Sequence, residues 1–456
     1  MKKIIFHIVI FAVICIAASC QPTPSTEYVV VKENAPLAET SDDRKEEVSD
    51  TKDEAPEAYE VPDIWQEVIS IPGQTNGMVV DAVIRAPENP RASVLQVAKS
   101  SFSAEAIKSA AETMLPHIVG YSNAMQSLAE LEEMLLGAKR GLYRQNDDGA
   151  YEYVPYDGQQ EQINRIEAMI QEAENADEQI YPLEDAIFSC PTQVRLIGDD
   201  GSTAALTVSE DYLYLYKGQR GILQSESMVK SGAAIPGEET GTEIGDVGLS
   251  QEDAIRIAED MLENIGADSM SLAESSKGRL VAEHSYAVLS QGWILYYFRN
   301  DGGYIPLNRF NVSFNGFFQF EEADYMAPWR LESITMYVTQ DGIVSLTWRN
   351  PLEVTEVIAA DEELLDFDVI QHNFRILVRY GLSNLEPDSP IVGEYMFDEI
   401  ILTGGLAAKK DDPSNAYIVP TWVFLFRNKE NPQNGMPIVI AINGIDGSRM
   451  YLQSSH

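Results

Sequence analysis

Tyr212-Leu213-Tyr214-Leu215-Tyr216 is the stretch of this 456-residue sequence whose residue types and spacing best suit binding chemistry. A period of two puts Tyr212, Tyr214 and Tyr216 on one face of a strand. Phenols in a row offer flat apolar surface and hydroxyls together, which suits a sugar or a peptide, and equally suits packing inside a core. A denser aromatic cluster, Phe310, Phe314, Phe317, Phe318, Phe320, Tyr325 and Trp329, reads as core or inter-sheet packing.

Groups for covalent, acid–base or metal chemistry form no constellation. There is no Cys-x-x-Cys and no His-Glu-x-x-His, so zinc sites of standard spacing are excluded. His117, His284 and His372 are scattered, and no Gly-x-Ser-x-Gly elbow marks a nucleophile; Gly120-Tyr121-Ser122-Asn123-Ala124 lacks its last glycine. P-loop and Gly-x-Gly-x-x-Gly patterns are absent, which argues against nucleotide use. An EF-hand needs a carboxylate first and a glycine sixth. Placing Gly149, Gly158, Gly201, Gly302, Gly342 or Gly447 sixth puts Arg144, Tyr153, Leu196, Tyr297, Tyr337 or Ile442 first. None of these is a carboxylate, and only irregular calcium sites stay open. Cys190, just after Ile187-Phe188, reads as a buried structural thiol. No catalytic residue, metal ligand or cofactor is assigned. A hydrolase whose site assembles from distant positions is the least favoured reading.

The charge balance bounds the partners. The chain holds 72 acidic and 32 basic side chains, a net charge of -40, with 45% hydrophobic residues. The hydrophobic fraction supports folded cores. The charge argues against nucleic acid, whose binding rests on phosphate neutralisation by Lys and Arg, and against a basic membrane-binding surface.

The first residues differ from the rest. Lys2 and Lys3 precede an apolar run from Ile4 to Ser19, which is short for a membrane span and fits a signal peptide over 1–19. Ala17-Ala18-Ser19-Cys20 resembles the lipobox of bacterial lipoproteins, with Ala17 where Leu is usual. The resemblance implies that Cys20 is diacylated and becomes the mature N-terminus, anchoring the protein to the extracytoplasmic face of the cell membrane. Residues 21–60 hold twelve acidic and four basic residues and four prolines, so 20–60 is expected to be a lipidated cysteine and a disordered acidic tether. Subtracting +2 for the leader and -8 for the tether from -40 leaves -34 on residues 61–456.

Beyond Val61 the patterns predict an α+β body of antiparallel sheets with packed helices. Val68–Ile84 reads as a hairpin around Pro72-Gly73 and Asn76-Gly77. Helices are expected from Ser103 to Leu115, over 122–140 and over 159–178, then strands at 193–197, 204–208 and 212–216. Residues 61–245 form an N-terminal α+β region with a helical hairpin. Ser250 with Asp253 opens another helix, followed by strands at 293–299, 310–314, 334–338 and 343–348. A helix over 364–380 and strands at 397–402, 417–427 and 437–442 complete the chain.

Trp293-Ile294-Leu295-Tyr296-Tyr297-Phe298-Arg299-Asn300 parallels Trp422-Val423-Phe424-Leu425-Phe426-Arg427-Asn428, which predicts two related helix-plus-sheet units, 246–355 and 356–456. The opening Leu249-Ser250-Gln251-Glu252-Asp253-Ala254 and the closing strands Tyr417–Phe424 and Val439–Gly447 resemble those of PepSY-type modules. Met336–Gly342 with Trp348-Arg349-Asn350-Pro351-Leu352 is similar to YycH/YycI-type extracytoplasmic regulators. The whole resembles uncharacterised lipoproteins of clostridial, Gram-positive bacteria. These resemblances imply a non-enzymatic module that binds or regulates another envelope protein. The alternative is capture of a peptide or glycan at Tyr212, Tyr214 and Tyr216.

Overall fold

The computed structural model describes residues 61–87, 92–124, 126–145, 151–175, 179–230, 243–308, 329–383, 385–409, 412, 414–430, 438–450 and 452. The leader, Cys20, the acidic stretch to residue 60, and the aromatic residues from Phe310 to Tyr325 lie outside the described residues.

Strands β1 (Ile64–Ile69), β2 (Met78–Arg85) and β3 (Ala92–Lys99) come first, then helix α1 (Ala104–Met114) and strand β4 (Ile118–Ser122). Helix α2 (Leu128–Arg140), the hairpin β5 (Leu142–Gln145) and β6 (Tyr151–Val154), and helix α3 (Gln159–Asn175) follow. Next are β7 (Tyr181–Pro182), β8 (Thr192–Gly198), β9 (Thr203–Val208), β10 (Tyr212–Lys217) and β11 (Gly221–Ser225). Short helix α4 (Glu226–Lys230) and helix α5 (Gln251–Asn264) lead into β12 (Met270–Ala282), β13 (Val288–Arg299), β14 (Ser333–Thr339), β15 (Gly342–Arg349) and β16 (Leu352–Glu362). Helices α6 (Phe367–Gly381) and α7 (Pro390–Glu394) precede β17 (Tyr395–Ala408), β18 (Asn415–Asn428), β19 (Ile438–Asn443) and β20 (Arg449–Met450).

The fold is α+β, as expected, with two large sheets. One is ten-stranded and antiparallel, in the order β11-β12-β13-β14-β15-β10-β9-β8-β4-β7. The other is eight-stranded and joins β1–β3 to β16–β20, with β2 parallel to β17. The boundaries expected at 245 and 355 therefore do not coincide with the sheets. Strands β2 and β3 pair with partners beyond residue 351, while β10 pairs with β15. Both predicted units do show a helix followed by an antiparallel run, α5 before β12–β15 and α6 before β17–β20.

Local chemistry explains the helices. Ser103 and Ser250 cap α1 and α5, each accepting a backbone N–H three residues on. Helix α1 buries Ile107, Ala110, Ala111 and Met114, and α5 buries Ala254, Ala258, Met261 and Leu262, all against one face of the ten-stranded sheet. Helix α6 covers the eight-stranded sheet with Phe374, which stacks on Phe424 at 4.0 Å and meets Trp65 and Phe397 edge-on. Fully burying such a side chain contributes about 1.5–3 kcal/mol.

Several expectations are corrected. The helix expected from residue 122 begins at Leu128, because Ser122 ends β4 and Ser127 with Glu130 forms the true capping box. Cys190 is exposed, not buried; it is Ile187 and Phe188 just before it that enter the core. Strands β3, β11, β12 and β16 were not expected at all.

Two features hold the sheets in register. In β18, residues 415–418 pair with β3 and residues 421–426 with β19. Pro420 sits at the changeover, where its missing N–H breaks no ladder bond, and its carbonyl accepts from the Gly444 N–H at 2.8 Å. Where the chain passes from β15 into β16, buried Glu332 accepts from Trp348 Nε1 at 2.7 Å and the Leu352 N–H at 3.2 Å, and pairs with Arg299. Arg299 also donates to the Leu352 carbonyl at 2.6 Å and pairs with Asp301.

Candidate ligand-binding face

The alternation of β10 settles which side its tyrosines take. Leu213 and Leu215 are fully buried in the core under α1 and α5, so Tyr212, Tyr214 and Tyr216 stand on the opposite face of the ten-stranded sheet. Their rings form a ladder, Tyr212 and Tyr214 stacked at 5.9 Å and Tyr214 and Tyr216 tilted, at 5.3 Å. Cross-strand register extends the face sideways. Tyr214 lies opposite Thr207 and Thr347, Thr207 opposite Gln193, Thr347 opposite Thr335, and Thr335 opposite Tyr296. The result is a polar row across six strands, about 24 Å long at the usual strand spacing.

The two ends of the ladder differ. Tyr216 is buried beneath α2, where its hydroxyl donates to Glu130 Oε1 at 2.7 Å and Arg195 pairs with Glu130 Oε2 at 2.7 Å. Burial alone would raise the Glu130 carboxyl. Hydrogen bonds from the Ser127 N–H, the Tyr216 hydroxyl and the Ser127 hydroxyl, with the Arg195 charge, outweigh it and hold the group below the usual glutamate range. At the other end the Arg349 guanidinium lies 5.3 Å over the Tyr212 ring. Tyr212 and Tyr214 are half-buried and their hydroxyls have no hydrogen-bond partner among the described residues. Burial pushes both phenols up, Tyr214 to about 12, so they stay protonated donors rather than bases or nucleophiles.

Helix α2 is fixed over this face at its far end too. Glu133 accepts the backbone N–H groups of His284 and Ser285, and Arg140 donates to the His284 carbonyl while lying over the Tyr153 and Tyr286 rings. The tip of the β12–β13 hairpin thus docks on α2. Gly137 makes room for it: a Cβ there would fall 2.3 Å from His284 Nδ1. Gly137→Ala is expected to displace the tip and lower stability by about 1–3 kcal/mol. Hydrogen exchange at residues 283–287 should quicken, and unchanged protection there would contradict the docking role.

The predicted tyrosines are thus brought together, while the histidines are not. His117 lies in the turn between α1 and β4 with a φ of 59°, His284 sits at the hairpin tip and His372 is exposed on α6. Among the described residues no three His, Cys, Asp or Glu side chains gather closely enough to hold a metal ion. Sequence reasoning missed Glu130, Arg195, Thr207, Thr335, Thr347 and Arg349. Two signals were available: Ser127-x-x-Glu130 is a capping box, and Ser345-Leu346-Thr347-Trp348-Arg349 alternates polar with apolar.

No family model matches the chain, and no curated protein does. Among solved structures, the chain is similar to an uncharacterized protein from Eubacterium rectale ATCC 33656, at 11% identity and a TM-score of 0.40, over 86% of this chain and 94% of that one. No helix among the described residues is long and apolar enough to cross a membrane.

Proposed function

We propose that the protein is a non-enzymatic binding module of the cell envelope, held at the extracytoplasmic membrane face through Cys20, which captures its ligand on the tyrosine-bearing face. The anchoring rests on Ala17-Ala18-Ser19-Cys20 alone. The observation that carries the binding reading is the row of half-buried Tyr214, Thr207, Thr335 and Thr347, whose hydroxyls have no protein partner among the described residues. None of these hydroxyls is among the buried side-chain atoms that lack a partner, so solvent reaches them and a polar ligand can use them beside the tyrosine rings.

A second reading, regulation of another envelope protein, draws on the exposed side of α6. Val369, Ile376 and Tyr380 are 40%, 51% and 54% exposed there, at spacings that place them on one stripe. Photo-crosslinking residues placed at Tyr214 and at Ile376 in growing cells separate the two. Ligand capture predicts a reproducible non-protein adduct at Tyr214. Regulation predicts a discrete protein adduct at Ile376, and absence of any adduct at Tyr214 would refute capture at this face.

A further inference from the structure

We infer that the captured ligand is a sugar chain bearing sparse carboxylates, with Arg349 seating the carboxylate and the Tyr212 and Tyr214 hydroxyls binding beside it. This rests on the ligand-binding reading of the face and specifies its chemistry.

Arg349 stands apart from the arginines held in ion pairs. Arg195, Arg299, Arg375 and Arg427 each pair with a carboxylate, as a chain with 72 acidic residues makes easy. Arg349 makes no ion pair among the described residues, and its contact is the Tyr212 ring. The ring holds the guanidinium by cation–π attraction and leaves its planar fork of N–H donors for a bidentate acceptor. The carboxylates that bear on the ladder's phenols lie toward its other end, Glu130 bound under α2 and Glu283 bearing on Tyr214 rather than Tyr212, while exposed Asp211, next to Tyr212, accepts from the Ser209 hydroxyl. Arg349 and Arg220 both bear on Tyr212, while at Tyr216 Arg195 offsets Glu130, so the positive end, at Tyr212, is the one that receives an anion.

Three observations narrow the anion's carrier. Beyond Arg349 the row supplies hydroxyls, from Tyr212, Tyr214, Thr207, Thr347 and Thr335, and these match a polyol whose own hydroxyls both donate and accept. The backbone of β10 is paired on both sides, with β9 and β15, so an extended peptide has no strand edge to join here. Net charge of -34 on residues 61–456, by the subtraction above, repels a densely charged polymer and tolerates a sparsely charged one.

Calorimetric titration of the purified full chain tests the inference, using a xylobiose that bears one glucuronate, its neutral methyl ester and triglutamate. The acid should bind at least about tenfold more tightly than the ester, the effect of one charge-assisted hydrogen bond. Arg349→Gln should erase that preference, Arg349→Lys should leave part of it, and Arg165→Gln on α3 should leave all of it. Tyr214→Phe should weaken acid and ester alike, by about two- to tenfold. Unfolding midpoints of the variants show whether a loss reflects misfolding; should Arg349→Gln unfold, Arg349→Lys alone decides. Equal binding of acid and ester, a preference that survives in Arg349→Gln, or binding of triglutamate alone would each overturn the inference. So would failure of all three probes at millimolar concentration. In those cases a non-protein adduct at Tyr214 in the crosslinking experiment would still uphold the broader ligand-binding reading, and its absence would remove both.

Discussion

Arg299→Met is expected to lower the free energy of unfolding by about 3–5 kcal/mol, with a loss that grows as pH rises. Arg299 is the charge that makes the buried Glu332 carboxylate tolerable, and Glu332 in turn accepts from Trp348 and Leu352. Burial already pushes the Glu332 carboxyl up, against the pull of Arg299. Without the guanidinium that opposition ends, and the folded state favours the protonated acid still more. A folded pKa above the unfolded one contributes stability below the unfolded value, near 4.3, and loses it as pH climbs through the folded value. Urea unfolding of the variant at about pH 5 and pH 8 should therefore show greater stability at the lower pH. A loss below about 1 kcal/mol, or a loss independent of pH, would contradict the role given to the pair.

Glu130→Gln should cost a similar amount, about 3–5 kcal/mol at neutral pH, for a different reason. Here the carboxylate gains more from its partners than burial takes away, so its folded pKa lies below the ordinary one. Such a group contributes stability above the unfolded pKa and loses it as pH falls through the folded value. The gap between wild type and variant should thus narrow in acid, the reverse of the Arg299 case. Glutamine can still accept from Ser127 and Tyr216, but Arg195, only 6% exposed, would be left charged without its partner. Chemical denaturation across the acid range measures the gap, and a constant difference would count against the ionic contribution. Because α2 is held over the tyrosine ladder by this residue, Tyr216 should also become more accessible in the variant.

What the sequence made legible follows from how local each signal is. The alternation of Tyr212 to Tyr216 with Leu213 and Leu215 carries its own facing rule, and both leucines do enter the core. Ser103 and Ser250 announce their helices within a few residues. By contrast β12 reads Met-Ser-Leu-Ala-Glu-Ser-Ser-Lys-Gly-Arg-Leu-Val-Ala, without apolar alternation, because it is held by neighbours on both sides rather than by one buried face. Glu130 was hidden by a helix start placed too early, at residue 122, which put the capping box inside the helix. Arg349 lies opposite Tyr212, 137 positions away, and only the β10–β15 register brings them together. No pattern within either segment encodes that pairing.

The parallel pairing of β2 with β17 sets an order on how the molecule is made. Residues 79–85 leave the ribosome more than 300 positions ahead of residues 396–401, their sheet partners. The β1–β2 hairpin can form at once, but an isolated hairpin is marginal in water. Its apolar side, with Trp65, Ile69, Val80 and Ala82, must therefore wait for Phe374, Phe424 and the closing strands. The ten-stranded sheet draws its strands from residues 118–349 and can assemble in the interval. Synthesis thus runs from an unfinished first segment, through a finished middle, to a last segment that completes the beginning, and secretion before folding would present all three to one another together.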